Sequence, residues 1–192
     1  MENLETPNND QINQTNPFDA QPKMKLGKNA LNYGLMLGGI SVVYSILLWV
    51  LGQTTNKPLA YISFIFIIGI MFYGTKEYRD KQLGGYMSYG QAFTSNFLIG
   101  LYSSIISTIF TFILFKYIDP NLLVTIKEQA IEAAMQKNPN LTQEQLDSSM
   151  SFFMSPIFFT ISALIAGAFF AAILSLIVSI FHKKDKPFET FS

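Results

Sequence analysis

One histidine, His182, and no cysteine stand among 192 residues, so few side chains here can do chemistry. Disulfides, thiolate metal sites and a cysteine nucleophile are excluded, and a single histidine cannot build a cluster of metal ligands. His182 adjoins Lys183 and Lys184 at the end of an apolar run. The role expected of it is a solvated flank, favourable at a helix C-terminus. Serines abound, but a serine hydroxyl attacks only when a base takes its proton, and the long apolar blocks hold no histidine or lysine. The phosphate-loop, His-Glu-x-x-His and Gly-x-Ser-x-Gly patterns are all absent. No catalytic residue, cofactor or metal is therefore expected, and the chain reads as a non-enzyme.

What remains is neutral and polar. Asn96, Ser103 and Ser107 lie inside an uncharged block, and Asn32 lies near the start of another. Each asparagine could bond a neighbouring helix, at about 0.6 kcal/mol on average; structural glue is one role, ligand binding the other. Proton-coupled transport ordinarily keeps an ionisable group within the membrane, and no Asp, Glu, Lys, Arg or His falls within these blocks.

The elements that must position these groups are apolar helices. Charged residues make up only 14% of the chain and aromatic ones 15%, a membrane composition rather than that of a soluble domain. Four blocks, at about 30–51, 59–75, 92–115 and 156–181, are long enough to cross a bilayer. The fold class expected is all-α: an integral membrane four-helix bundle over 29–183, with an extracytoplasmic helical hairpin between spans three and four. Residues 1–28, rich in Asn, Gln and Pro, read as a disordered cytoplasmic tail. Residues 184–192 read as a second cytoplasmic tail.

Orientation follows from the basic residues. Lys23, Lys25 and Lys28 precede span one; Lys76, Arg79 and Lys81 follow span two; Lys183, Lys184 and Lys186 follow span four. All of these lie on one side, while the long loop opposite carries Asp119, Glu128, Glu132, Glu144 and Asp147. Basic residues collect on the cytoplasmic side, so both termini are expected there.

That loop, 119–154, has helical signals. Asp119-Pro120 suits a helix start, and Leu123, Ile126, Ala130 and Ala133 recur at helical spacing. Asn138-Pro139-Asn140 breaks the pattern. Thr142 and Gln145 are then spaced as a capping box, Leu141 and Leu146 as its staple, and Leu146, Met150 and Phe153 as a stripe. Two amphipathic connectors lying on the spans are expected, with a ligand- or partner-binding lid as the alternative.

Small residues recur at helix-contact spacing. Ala163, Gly167, Ala171, Ser175 and Ser179 repeat along span four, and Gly34 and Gly38 form a step in span one. Ser103, Ser107 and Thr111 repeat in span three, beside Gly100, Ser104 and Thr108. Such ladders let backbones approach where lipid gives helices no hydrophobic reason to associate. They serve packing within the bundle or, alternatively, a self-association face. Leu174 lies off the ladder, and truncating it should matter less if it faces lipid.

The loop between spans two and three carries Tyr78 and Arg79, a Gly84-Gly85 reversal, and the run Ser88-Tyr89-Gly90-Gln91-Ala92-Phe93, in which Ser88 and Gln91 are spaced as a capping box. With Tyr117-Ile118-Asp119-Pro120, these motifs resemble a family of small bacterial membrane proteins called domain of unknown function 4199. The resemblance spans about 29–183. It implies a four-helix membrane protein and no established activity, and it supplies no catalytic or binding residue to carry over. Gly84, Gln91, Asp119 and Pro120 match its pattern and already have structural explanations.

Two functions fit. The first is a non-enzymatic accessory or scaffold subunit acting through helix packing, with the lipid bilayer and a membrane-protein partner or second copy as its partners, and no nucleic acid. The second is a passive carrier or channel subunit for neutral or lipidic solutes, lined by Ser103, Ser107 and Asn96. A dry bundle favours the first; a cavity reaching mid-membrane favours the second.

Overall fold

The structure is a computed structural model, and it describes residues 25–138, 140, 142–153 and 155–185. Most of the expected N-terminal tail (1–24) lies outside the described residues, as do Pro139, Leu141 of the expected staple, and 186–192. Six α-helices follow in order: α1 Leu26–Val50, α2 Lys57–Gln82, α3 Tyr89–Ile113, α4 Pro120–Lys137, α5 Gln143–Phe153 and α6 Pro156–Ile180. A π-helical turn, Leu114–Ile118, extends α3. α1, α2, α3 with its extension, and α6 are each long and apolar enough to cross a membrane. The protein is an all-α, multi-pass membrane bundle.

Local chemistry sets most of the helix starts. Ser88 and Gln91 form a reciprocal capping box at α3, satisfying two amides that the helix leaves without partners. Asn56, Asp119 and Ser155 each accept an amide hydrogen at the start of α2, α4 and α6, with a proline in the first turn. Thr142 and Gln145 exchange hydrogen bonds of 3.2 and 3.3 Å at the start of α5. α2 ends where Leu83 N and Gly85 N both donate to Arg79 O. Gly84 (φ 67°) and Gly85 (φ 86°) supply the left-handed backbone for that reversal.

Several boundaries differ from expectation. α1 begins at Leu26, so the expected tail limit at 28 falls inside a helix. α2 runs through Lys76–Gln82, because charged residues extend a helix into the headgroup layer as readily as apolar ones do in the core. Tyr78 and Arg79 therefore sit on its last turns rather than in a loop. Lys184, expected in the tail, pairs with Met87 in an antiparallel bridge, through bonds of 3.0 and 2.9 Å. In α4, Leu123 and Ile131 are buried while Ala133 is exposed. The larger isoleucine takes the inward face, and Phe153 at the end of α5 is also exposed.

α3 is the central helix. α1 and α6 both pack along it and scarcely meet each other, while α2 leans mainly on α1 and α3 and touches α6 least. Ala30, Leu37, Met71 and Ile99 form the core shared by α1, α2 and α3. Leu114, Phe115 and Leu123 form a second core that docks α4 on the end of α3. The π-helical turn closes with Asp119 N donating to Leu114 O at 2.7 Å. It brings the Asp119 carboxylate to the Trp49 indole N–H (2.9 Å) as well as to Leu122 N (3.1 Å). α4 and α5 are joined by Lys127, which pairs with Asp147 at 2.7 Å and bonds Ser151 at 3.3 Å.

Candidate functional site

At the end of the bundle that carries both described termini, polar side chains from the four spans converge. Thr75 Oγ1 of α2 donates to Asn96 Oδ1 of α3 at 2.8 Å and lies 3.0 Å from Ser95 Oγ. Asn96 Nδ2 donates to Ser179 Oγ of α6 at 3.2 Å. Thr75, Ser95, Asn96 and Ser179 are completely buried. Asn29 of α1 donates to Gly74 O at 3.1 Å, and Tyr33 OH donates to the Glu77 carboxylate. Asn29 takes the bonding role open to Asn32, which is exposed.

His182 departs from expectation. It is 1% exposed, not a solvated flank. Its Nδ1 lies 2.9 Å from Val178 O, and its Nε2 lies 2.9 Å from Phe72 O of α2. The Met87–Lys184 bridge folds the chain back just beyond it. The ring thus caps a terminal carbonyl of α6 and ties that helix to α2. Among the described residues, no buried side-chain nitrogen or oxygen lacks a partner. This polar knot is a clamp: its groups spend their hydrogen bonds on one another.

The small-residue positions meet α3. A Cβ on Gly34 would lie 2.5 Å from Tyr102 Cβ, and one on Gly38 would lie 2.7 Å from Ile106 Cδ1. One on Gly100 would lie 2.6 Å from Ala171 Cβ, and one on Gly167 3.0 Å from Ser104 Cβ. Ser175 Oγ donates to Ala171 O at 2.6 Å and is fully buried. Gly34 and Gly38 thus bring α1 onto α3, and Gly167 and Ala171 bring α6 onto it.

Towards the α4–α5 end the packing loosens. A crevice of about 310 Å³ lies between α1, α2, α3 and α6. Ser103, Ser104, Ser107, Thr108 and Thr111 form its floor, with Ala163 and Gly167 on one wall and Leu37 and Ser41 on another. No charged residue lines it. Ser104 Oγ donates to Leu101 O at 2.8 Å. Among the described residues, the hydroxyls of Ser41, Ser103, Ser107, Thr108 and Thr111 have no hydrogen-bond partner. Phe64 of α2 and Phe170 of α6, both in the crevice lining, meet edge to face with centroids 6.5 Å apart. The structure therefore separates Asn96, locked in the knot, from Ser103 and Ser107, whose hydroxyls line the crevice.

A family model described as "Protein of unknown function (DUF4199)" matches residues 32–184. The chain belongs to this family. No curated protein and no solved structure matches it. The DUF4199 region starts within α1 and ends at Lys184, so the crevice and nearly all of the knot fall inside it, with Asn29 just outside. Sequence reasoning missed Thr75 and Ser95 as knot members and Ser41, Phe64 and Phe170 as crevice members. Thr75 directly precedes Lys76, where a span's polar end is expected, so nothing local marks it as buried. Phe64 and Phe170 are aromatic residues among many.

Proposed function

We propose that this DUF4199 protein is a non-enzymatic carrier or binding subunit for a neutral or lipidic solute, held in the crevice between α1, α2, α3 and α6. The observation that carries this reading is the set of unpartnered hydroxyls on an uncharged crevice floor within the membrane-spanning helices. In lipid, a polar group without a partner is costly, and hydroxyls on such helices ordinarily bond a carbonyl one turn back. A solute with a hydrogen-bonding group would satisfy them. A scaffold acting through packing alone would need no such crevice. The knot and the Met87–Lys184 bridge close the termini end, which favours a laterally open binding site over a through channel. His182, whose ring lies against Val178 O and Phe72 O, is not among the residues that line the crevice with the serines. Native mass spectrometry of protein purified in mild detergent should find one tightly held neutral lipid per chain. Bare polypeptide under the mildest extraction would overturn the reading.

The proposed orientation has both termini in the cytoplasm of a bacterial inner membrane, supported by the basic residues at the termini end. Without native cysteines, single-cysteine labelling is unambiguous. An impermeant thiol reagent on the periplasmic side should label Gln136→Cys and spare Gln14→Cys and Thr190→Cys. The opposite pattern would invert the map.

A further inference from the structure

Ser103 is only 6% exposed as a residue, and its hydroxyl, which opens into the crevice, has no partner among the described residues. Its neighbours behave differently: Ser104 bonds Leu101 O, and Ser175 bonds Ala171 O. Position narrows what could satisfy it. The helix that crosses with α3 runs Tyr89–Ile118, and Ser103 lies at its middle, close to the bilayer midplane. The hydrocarbon half-thickness is about 15 Å, so the ester carbonyls of a phospholipid, held at the headgroup boundary, do not reach that depth. A charged solute has no counter-charge in the crevice. The acceptor must belong to an uncharged molecule whose polar atoms reside deep in the hydrocarbon.

Spacing narrows it further. Ser103 and Ser107 are four residues apart on one helix face, roughly 6 Å along the axis. That separation suits two oxygens on opposite corners of a six-membered ring. Phe64 and Phe170 contribute aromatic rings to the crevice lining, where a flat ring gains from edge or offset contact. A cavity of about 150 Å³ takes up benzene, so a crevice of about 310 Å³ has room for a larger, substituted ring. A long tail would extend from the crevice into lipid.

Resting on the carrier reading above, we propose that the crevice binds the head ring of an isoprenoid quinone, with the Ser103 and Ser107 hydroxyls donating to its two carbonyl oxygens. The step is binding alone; the bond network changes and no electrons move.

The test uses the full chain in phosphatidylcholine nanodiscs free of quinone, titrated with radiolabelled decylubiquinone against empty nanodiscs. Saturable binding at one per chain is expected. The pair Ser103→Ala with Ser107→Ala should weaken it at least about tenfold, the effect of losing two hydrogen bonds of about 1 kcal/mol each, with an unchanged thermal midpoint. Ser162→Ala, at an exposed position of α6, should bind as the native chain does. Unaltered affinity in the double variant would overturn the serine assignment. Saturable binding of diacylglycerol but not of the quinone would overturn the ring proposal and leave the carrier reading standing. No binding of either would overturn both.

Discussion

Gly100→Leu is expected to force α3 away from α6 and to lower the protein's thermal midpoint in detergent by roughly 10 °C. Even the first added carbon would sit 2.6 Å from Ala171 Cβ and 3.4 Å from Ala171 Cα. Neither atom can move without its helix. Overpacking of this kind costs about 3 kcal/mol, and in a chain of this size each kcal/mol moves the midpoint by about 2–4 °C. Gly39→Leu is the matched control, because an added Cβ there meets nothing within 4 Å. Its midpoint should stay near the native one. Equal midpoints for Gly100→Leu and the native chain would mean that α3 and α6 do not pack as described.

Asn96→Ala is the second large effect. The side chain accepts from Thr75 and donates to Ser179, so one residue joins three of the spans. Interhelical hydrogen bonds in membranes average about 0.6 kcal/mol and reach about 1.7. Two of them, with the cavity left by truncation, give an expected loss of about 1–3 kcal/mol. Ser179→Ala alone should cost less, since Asn96 keeps its bond from Thr75. The double variant should cost less than the two single losses added, because residues that share a bond are coupled. Strict additivity would place Asn96 and Ser179 out of contact.

The helix ends were legible because their chemistry is local. Ser88 with Gln91, Asp119 with Pro120 and Thr142 with Gln145 carry their instructions within four residues, and the caps form as spaced. Direction was harder. In a membrane both the lipid face and the packed face of a helix are apolar, so periodicity does not separate inside from outside. Gly38 abuts Ile106 while adjacent Gly39 faces open space, and no local pattern distinguishes them. Leu174, a candidate for the lipid face, packs instead against the Ala30–Met71 core and lines the crevice. His182 follows the same logic. Its neighbours Lys183 and Lys184 suggest solvent, but its burial depends on Phe72 and on the Met87 bridge, both distant in sequence. The crevice lies where Phe64 and Ile67 of α2 stand across from Ser103 and Ser107 of α3, away from the bonds of Thr75 to Ser95 and Asn96, a feature of relative helix placement that no single segment encodes.

The central claim is that the hydroxyl-lined crevice, and not the general lipid-facing surface, holds a neutral lipid. Native mass spectrometry of Ser107→Phe beside Ile109→Phe tests it most directly. Ser107 lines the crevice, where a phenyl ring would occupy the space, whereas Ile109 is exposed on the same helix. Ser107→Phe should emerge without its neutral lipid while Ile109→Phe retains it, both with near-native thermal midpoints. Equal retention by the two variants would contradict it.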